Sequence, residues 1–391
     1  MKPLKLNSFH KLVCFVLIVI LVISVVGFAV DGWQGDQSKV PDSGDVSENT
    51  DNTDENKDGT QNAEKDPSSI GNNSDNTDDS NGTSNGDTSE SPTVFTNPIT
   101  GLVVTEEEYN SLPIGVIINP SAPLYSVSNS DLAIEFPIED GSTRLLTYLS
   151  GEEILWKIGS LSASRKFISG MSDFFGGIVV CYGNDDKVTY NAWQTSDLTL
   201  DLSVYSDAYY AENTLYVYTS ESMINTALNR NYDLALSTEA SYKSAPYSFV
   251  DESSAAKGTT AASTLIIPFS TSNETELYYH EASGKYIYYK SGIRKLDMLT
   301  GENTAFANIF ILFADATTYE KSEGTELVID TYSGGKGYYV SGGTLTEFKW
   351  SVSSGGSLEF KSLSGETLKV NTGNAYIAYF KSANSSAVKF F

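Results

Sequence analysis

The strongest hydrophobic pattern in the chain is an unbroken apolar run close to its N-terminus. The run from Leu12 to Val30 spans 19 residues without a charge. A helix of that length measures roughly 28 Å, close to the ~30 Å hydrocarbon core of a bilayer. Three lysines precede the run, so the positive-inside rule predicts that the rest of the chain is extracytoplasmic. We predict a single-pass anchor in the cell membrane; a signal peptide cleaved near residues 27–29 is the alternative, and the chain would then be secreted.

The next tract loses nearly all of its apolar positions. Residues 31–92 consist mainly of Asp, Asn, Ser, Gly, Thr and Glu, with 16 acidic residues against three lysines. Such a tract cannot bury enough apolar surface to offset the entropy that it would lose on ordering. We therefore predict an acidic disordered linker at 31–92, behind a cytoplasmic tip and membrane segment at 1–30.

Regular periodicity begins at about residue 93 and predicts a mixture of helices and strands up to residue 240. Short apolar runs bounded by turn residues indicate strands, and apolar residues at helical spacing indicate helices. Ser220 is predicted to be the N-cap of one of these helices. The predicted strands are 114–119, 132–136, 144–149, 178–182 and 214–218, and the predicted helices are 162–175 and 220–229.

Residues 241–264 are rich in Ser, Ala and Thr and predict a connection, after which strands take over. The predicted strands are 265–269, 276–280, 285–290, 308–313, 326–331, 337–340, 346–352, 357–360, 367–370 and 375–380. The pattern indicates an α+β fold, with a mixed α/β domain at 93–240 and a β-rich domain at 265–391.

Composition excludes several classes of chemistry. The net charge of −25 argues against binding to nucleic acid through phosphate contacts. Cys14 lies in the apolar run and Cys181 in a predicted buried strand, so we expect no intrachain disulfide. His280 has no accompanying residues at metal-ligand spacing, and no phosphate-binding glycine loop occurs. We predict no metal, no cofactor and no catalytic residue of a Ser–His or zinc type.

One pair of motifs imitates an enzyme. Residues 254–257 form an S-x-x-K, and residues 290–292 are similar to the K-[ST]-G of penicillin-binding enzymes. The 33-residue step from Lys257 to Lys290 is too short for the helical domain that those enzymes place there. We interpret both motifs as coincidences in a serine-rich chain.

Charged residues inside apolar segments are more informative. Asp131, Glu135, Glu139, Arg144 and Arg165 all lie in strand-like or helix-start surroundings. An unpaired buried charge is costly, so such residues are usually paired or face a pocket. Both interpretations stay open: structural ion pairs, or a site for an anion or carboxylate.

Asp131, Glu135, Arg144 and Arg165 fall in segments that resemble the YerB-like family, extracytoplasmic lipoproteins of Gram-positive bacteria with a domain of unknown function. The resemblance covers roughly 97–381. The matching segments are 97–101, 115–119 with Pro123, 130–135, 141–144, 158–165, 296–301, Asn308, 335–339, Trp350, Gly365 and 371–373.

The resemblance implies an extracytoplasmic location and a shared fold, and it implies no known activity. The chain departs from the family pattern at Pro120, Ser160, Ser162 and Lys295, where the family has Asn, Pro, Arg and His. It also has a membrane helix in place of a lipidated cysteine. If the replaced groups carried a shared activity, this chain would lack it. The resemblance adds Asn119 and Asp297 to the candidate ligand-binding residues.

Two functional hypotheses follow. The first is a tethered binding module for a cell-wall component or an envelope protein. The second is an envelope hydrolase or transferase that uses Glu135, Glu139 or Asp297 as acid or base, with Arg144 and Arg165 holding an anionic or glycan substrate. Paired carboxylates about 5–9 Å apart in a cleft would favour the enzyme.

Overall fold

The computed structural model describes residues 93–149, 155–183, 198–231, 242–251, 255–321 and 324–391. All of them belong to one compact unit. The predicted membrane segment and the predicted linker lie outside the described residues. Within the described ranges, no helix has the length and apolar character needed to cross a bilayer.

The largest element is an 11-stranded mixed sheet. Parallel pairs lie at its centre and at the end formed by 178–181 and 199–201, and the other pairs are antiparallel. In spatial order its strands are Thr260–Ala261, Thr344–Val352, Gly335–Ser341, Asn308–Ala314, Ala375–Lys381, Ser130–Pro137, Thr143–Leu149, Ile114–Ile118, Ile178–Cys181 and Thr199–Asp201, with Leu358–Ser362 paired to Thr344–Val352.

A second, six-stranded antiparallel sheet comes from the C-terminal part of the chain. Its strands in spatial order are Ile293–Arg294, Lys285–Lys290, Asn273–His280, Thr264–Ser270 and Lys389–Phe390, with Ala305–Phe306 paired to Lys285–Lys290.

The remaining elements are short. One small sheet has three strands, with Val217–Thr219 between Ile158–Gly159 and Tyr210–Ala211. The two-stranded pairs are Phe95–Thr96 with Val103–Val104, Ser248–Phe249 with Lys369–Val370, and Ala316–Lys321 with Gly324–Ile329. The α-helices are Glu106–Tyr109, Lys166–Ser169, Ser172–Phe175 and Glu221–Arg230, and the 3₁₀ turns are Val127–Asn129, Leu202–Val204 and Ser382–Ala387.

The two sheets pack face to face, and helical turns cover the other face of the 11-stranded sheet. One apolar cluster joins residues of both sheets, such as Leu145 and Tyr288. A second cluster joins the opposite face of the 11-stranded sheet to helical residues such as Phe167. The central strand Asn308–Ala314 is therefore buried along its whole length, which explains its continuous apolar sequence.

The β-rich C-terminal half that the sequence predicts is confirmed, and the predicted strand at 285–290 has the observed bounds. The predicted N-cap is also confirmed, because the Ser220 hydroxyl accepts a hydrogen bond from the Met223 N–H (3.3 Å). The predicted helix at 162–175 is instead two single turns separated by Gly170 and Met171. Strands from the predicted domains 93–240 and 265–391 share one sheet, since Glu135 pairs with Ala378.

A close backbone approach fixes the start of the strand Ile178–Cys181. Gly177 has a φ of +70°, and a Cβ added there would lie 2.0 Å from the Pro113 carbonyl oxygen. That carbonyl accepts the Ile178 N–H at 3.1 Å. Only glycine fits this position, because any side chain would both strain the backbone and separate the two segments.

We predict that Gly177→Ala lowers the free energy of unfolding by about 3–5 kcal/mol, since it combines backbone strain with a steric clash. The matched control is Gly284→Ala. Gly284 has a similar φ of +67° with no atom within 4 Å of an added Cβ, so strain alone should cost about 1–2 kcal/mol there. Urea unfolding followed by tryptophan fluorescence measures both. Equal losses in the two variants would contradict the role given to the Pro113 contact.

Candidate functional site

Glu135 lies between the two sheets. It belongs to the strand Ser130–Pro137, and its side chain is 0% exposed. Side chains alternate between the faces of a strand, so Glu135 points toward the six-stranded sheet while Phe136 points toward the helical layer and stacks on Tyr379.

Five donors from both sheets surround the Glu135 carboxylate. Lys290 Nζ and the Thr143 hydroxyl each donate to Oε1 at 2.6 Å. The other oxygen, Oε2, accepts from the hydroxyls of Tyr376 (2.6 Å), Thr275 (2.9 Å) and Tyr288 (3.1 Å). Lys290, Thr275 and Tyr288 belong to the six-stranded sheet and the other two to the 11-stranded sheet, so this carboxylate connects the two.

The surroundings of Glu135 keep its carboxylate ionised. Burial alone would raise its pKa, but the Lys290 ammonium and the hydroxyl donors outweigh burial and hold the pKa below the usual range. The Lys290 side chain is only 2% exposed. A closed and fully hydrogen-bonded carboxylate has no free lone pair or open approach for a substrate proton, so its role is structural.

A second group of charges follows the same strand. Glu139, Asp140, Arg144 and Arg165 form what we call the hairpin charge cluster, at the turn between Ser130–Pro137 and Thr143–Leu149. Glu139 Oε1 pairs with Arg165 Nη2. Arg144 Nη1 donates to the Thr143 carbonyl (3.1 Å). Arg144 pairs in register with Phe136, so the cluster lies on the helical side of the 11-stranded sheet.

The hairpin charge cluster is nearly neutral as a whole. Burial and then the neighbouring Arg165 guanidinium lower the pKa of Arg144. Burial would raise the pKa of Asp140, but hydrogen bonds from Ser142 and the two guanidinium charges hold it below the usual range. Among the described residues, Arg144 Nε and Glu139 Oε2 are buried without a hydrogen-bond partner.

The other candidates lie elsewhere. Asp131 Oδ2 accepts from Asn97 Nδ2 (2.9 Å) and the Tyr242 hydroxyl (3.1 Å). The structure thus brings Glu139, Arg144 and Arg165 together, and it separates them from Glu135 and from Asp131.

Sequence reasoning missed the partners of Glu135. Lys290 drew attention only as part of an enzyme-like motif, and the other missed donors are Thr143, Thr275, Tyr288 and Tyr376. Because side chains alternate between the faces of a strand, the predicted strand at 285–290 was enough to place Tyr288 and Lys290 on one face. It could not have indicated which carboxylate they meet.

Two comparisons identify the fold. Residues 265–377 match the sequence profile of the C-terminal domain of a protein of unknown function (DUF3048). The structure is similar to the crystal structure of the YerB protein from Bacillus subtilis, with a TM-score of 0.63 and 20% sequence identity over 76% of this chain and 99% of that chain. The described residues therefore form a YerB-like fold, and residues 265–377 match a domain of unknown function. The resemblance predicted from the sequence is thereby confirmed for the fold. No curated protein matches the sequence.

The segments around Asn119 and Asp297 meet at one corner of the domain, where Leu124 bridges to Asp297 and Tyr125 to Gly159. The Asn119 N–H donates to the Ser160 carbonyl at 2.9 Å. Asp297 is fully buried, and its Oδ2 accepts from the backbone N–H (3.1 Å) and the hydroxyl (2.9 Å) of Ser128. Its Oδ1 accepts from the Leu299 N–H at 2.9 Å. Both oxygens of Asp297 therefore shape turns at this corner.

None of the seven candidate residues lines either of two open clefts, although Asp131 accepts a hydrogen bond from Tyr242, which lines the larger one. One of about 630 Å³ is lined by Tyr242, Lys243 and the segment 355–361. The other, of about 420 Å³, is lined by Lys336, Lys349, Lys361 and their neighbours. Within the part of the chain that the structure describes, no group of three or more His, Cys, Asp and Glu residues is arranged to hold a metal ion.

Lys295 is buried and gives a test of this corner. Its Nζ donates to the Ala122 carbonyl at 2.7 Å. Burial, and then the charge of Lys290, lower the pKa of Lys295 to about 8. The folded state therefore binds this proton more weakly than the unfolded state does, and stability should rise with pH between about 8 and 10.4.

We predict that, between pH 7.5 and pH 10.5, the free energy of unfolding of wild type rises by about 3 kcal/mol more than that of Lys295→Met. The comparison with the variant cancels the contribution of the tyrosines, which ionise in the same range. Urea unfolding at a series of pH values measures the difference. A difference that stays constant with pH would show that Lys295 is not buried as a cation.

Proposed function

We propose that the chain is a non-enzymatic binding module of the cell envelope, tethered to the cell membrane through the segment from Leu12 to Val30. Its partner would be a cell-wall component or an envelope protein on the extracytoplasmic side. The proposal includes a mixed α/β N-terminal half and a disordered linker before it.

One observation carries the proposal: the acid and base candidates are already bound to the protein itself. Glu135 accepts five hydrogen bonds in a closed interior, Asp297 accepts three, and Glu139 pairs with Arg165. Glycoside hydrolysis needs two carboxylates that face each other across an open cleft. The two clefts described above are lined by none of these carboxylates, which favours binding over catalysis.

The segment before residue 93 supports the tether. A flexible chain of this length has a typical end-to-end distance of about 45 Å, and its like charges favour longer values. The linker would therefore let the domain reach into the layer outside the membrane. The acidic surface suits contact with partners other than anionic lipid.

The proposal is tested by adding the detergent-solubilised full chain to isolated Gram-positive cell envelopes. We expect saturable co-sedimentation of the chain and no release of soluble fragments, because none of Glu135, Glu139 and Asp297 lines an open cleft. Denatured protein at equal concentration controls for trapping. In cells, deletion of residues 12–30 should abolish membrane association.

The enzyme alternative predicts a different result in the same assay. Fragments would accumulate with time, and Glu139→Gln would stop their release while leaving the chain folded. That outcome would overturn the proposed function, as would a chain that sediments no more than its denatured control.

A further inference from the structure

We infer that Lys336, Lys349 and Lys361 form a binding site for an anion with two or more linked phosphate groups. We call these three residues the lysine row. The inference adds a ligand class to the proposed binding function, and it rests on that function only in expecting that the bound ligand is not hydrolysed.

The strand register brings the three lysines into one line. Lys336 on Gly335–Ser341 lies directly opposite Lys349 on Thr344–Val352. Lys349 in turn lies directly opposite Lys361 on Leu358–Ser362. Directly opposed residues of antiparallel strands share a face of the sheet, with Cβ atoms about 5 Å apart. The lysine row therefore crosses three neighbouring strands over a distance of about 9–10 Å.

Such an arrangement is unfavourable without a counter-charge, since like charges directly opposite each other destabilise a sheet. Lys361 pairs with Glu359, with Nζ and Oε2 2.6 Å apart. Within the described residues, Lys336 and Lys349 are exposed and make no ion pair or side-chain hydrogen bond. Glu347 lies on the same face, opposite Tyr338, and it is within ion-pair distance of neither lysine. Two of the three ammonium groups are thus available to a ligand.

The lysine row is a positively charged site in a domain that is acidic as a whole. Residues 93–391 hold 34 Asp and Glu against 19 Lys and Arg. The lysine row lines the cleft of about 420 Å³ together with Gly335, Leu363 and Gly365. A ligand in this cleft would lie beside the side chains of all three lysines.

The linear geometry selects among anions. A chain of linked phosphates can contact all three ammonium groups with the lysine side chains extended along the row. A single orthophosphate would require the same side chains to converge on one point against their mutual repulsion. Lysine binds phosphate as a point charge, so the site needs no planar, bidentate partner.

A short ligand fits better than a nucleic acid. The field of the acidic domain is screened beyond about 10 Å at 0.1 M salt, so a compact anion meets mainly the lysines, whereas a long polymer also meets the acidic surface. Non-specific binding of single-stranded nucleic acid also relies on exposed aromatic side chains for stacking. Trp350, which also lines the cleft, is 2% exposed. Tyr338, on the same face as the row, is half-buried and packs edge-on against Phe313 and Phe390.

The test is titration calorimetry of the full chain in detergent, without divalent cations, with orthophosphate, tripolyphosphate, ATP and a short single-stranded DNA. We expect tripolyphosphate to bind at least tenfold more tightly than orthophosphate. Lys349→Gln should weaken tripolyphosphate binding at least tenfold, and Lys349→Glu should abolish it. The matched control is Lys389→Gln, an exposed strand lysine opposite Ile266, and it should bind as wild type does.

The comparison of tripolyphosphate with ATP distinguishes a free oligophosphate from a nucleotide as the ligand. Equal affinities for tripolyphosphate and ATP would assign the site to free oligophosphate, and much tighter binding of ATP would assign it to the phosphate tail of a nucleotide. The unliganded Lys349→Gln variant should melt no lower than wild type, because it relieves repulsion.

Three results would overturn the inference: no binding of either oligophosphate, equal binding by all the lysine variants, or DNA binding as tight as that of tripolyphosphate with the same dependence on Lys349. Orthophosphate released from a bound oligophosphate would be measured in parallel. Release that depends on Lys349 would support the oligophosphate site and contradict the proposed absence of catalysis. Failure of the inferred site and failure of the proposed function therefore give different results.

Discussion

The buried ion pair of Glu135 and Lys290 is the interaction on which the architecture depends. A carboxylate with no exposure is tolerated only if its oxygens are satisfied and its charge is balanced. Here the balance comes from Lys290, and the remaining lone pairs accept hydroxyl hydrogens from four further side chains. Because those donors come from both sheets, the pair fixes the position of one sheet on the other within an otherwise apolar interface.

This constraint also decides where ligand chemistry can occur. Two buried carboxylates join elements. Glu135 joins the sheets, and Asp297 joins the segment between the strands Ile293–Arg294 and Ala305–Phe306 to the turn at Ser128. Charged side chains outside those contacts lie partly buried in the hairpin charge cluster and exposed in the lysine row. The proposed binding function therefore rests on these charges nearer the surface, since none of Glu135, Glu139 and Asp297 lines either open cleft.

The sequence predicted local structure well and distant contacts poorly. Alternation and turn residues were sufficient for strands such as Lys285–Lys290 and for the helix that begins after Ser220, since both signals are local. Glu135 was correctly singled out as a charge in an apolar strand. Its partner Lys290 is 155 residues away, and only the packing of the two sheets brings them together. The lysine row likewise depends on strand register, because residues 336, 349 and 361 have no common sequence motif. Gly170 and Met171 ended a helix that the spacing of apolar residues had extended to 175.

A double-mutant cycle on Glu135 and Lys290 tests the central claim most directly. The free energy of unfolding would be measured for wild type, Glu135→Gln, Lys290→Met and the double variant. Removing one partner of a buried pair leaves an uncompensated charge or carboxylate, so each single variant should lose about 3–5 kcal/mol and the double variant much less than their sum. Additive losses, or a Glu135→Gln variant as stable as wild type, would show that this pair does not hold the sheets together.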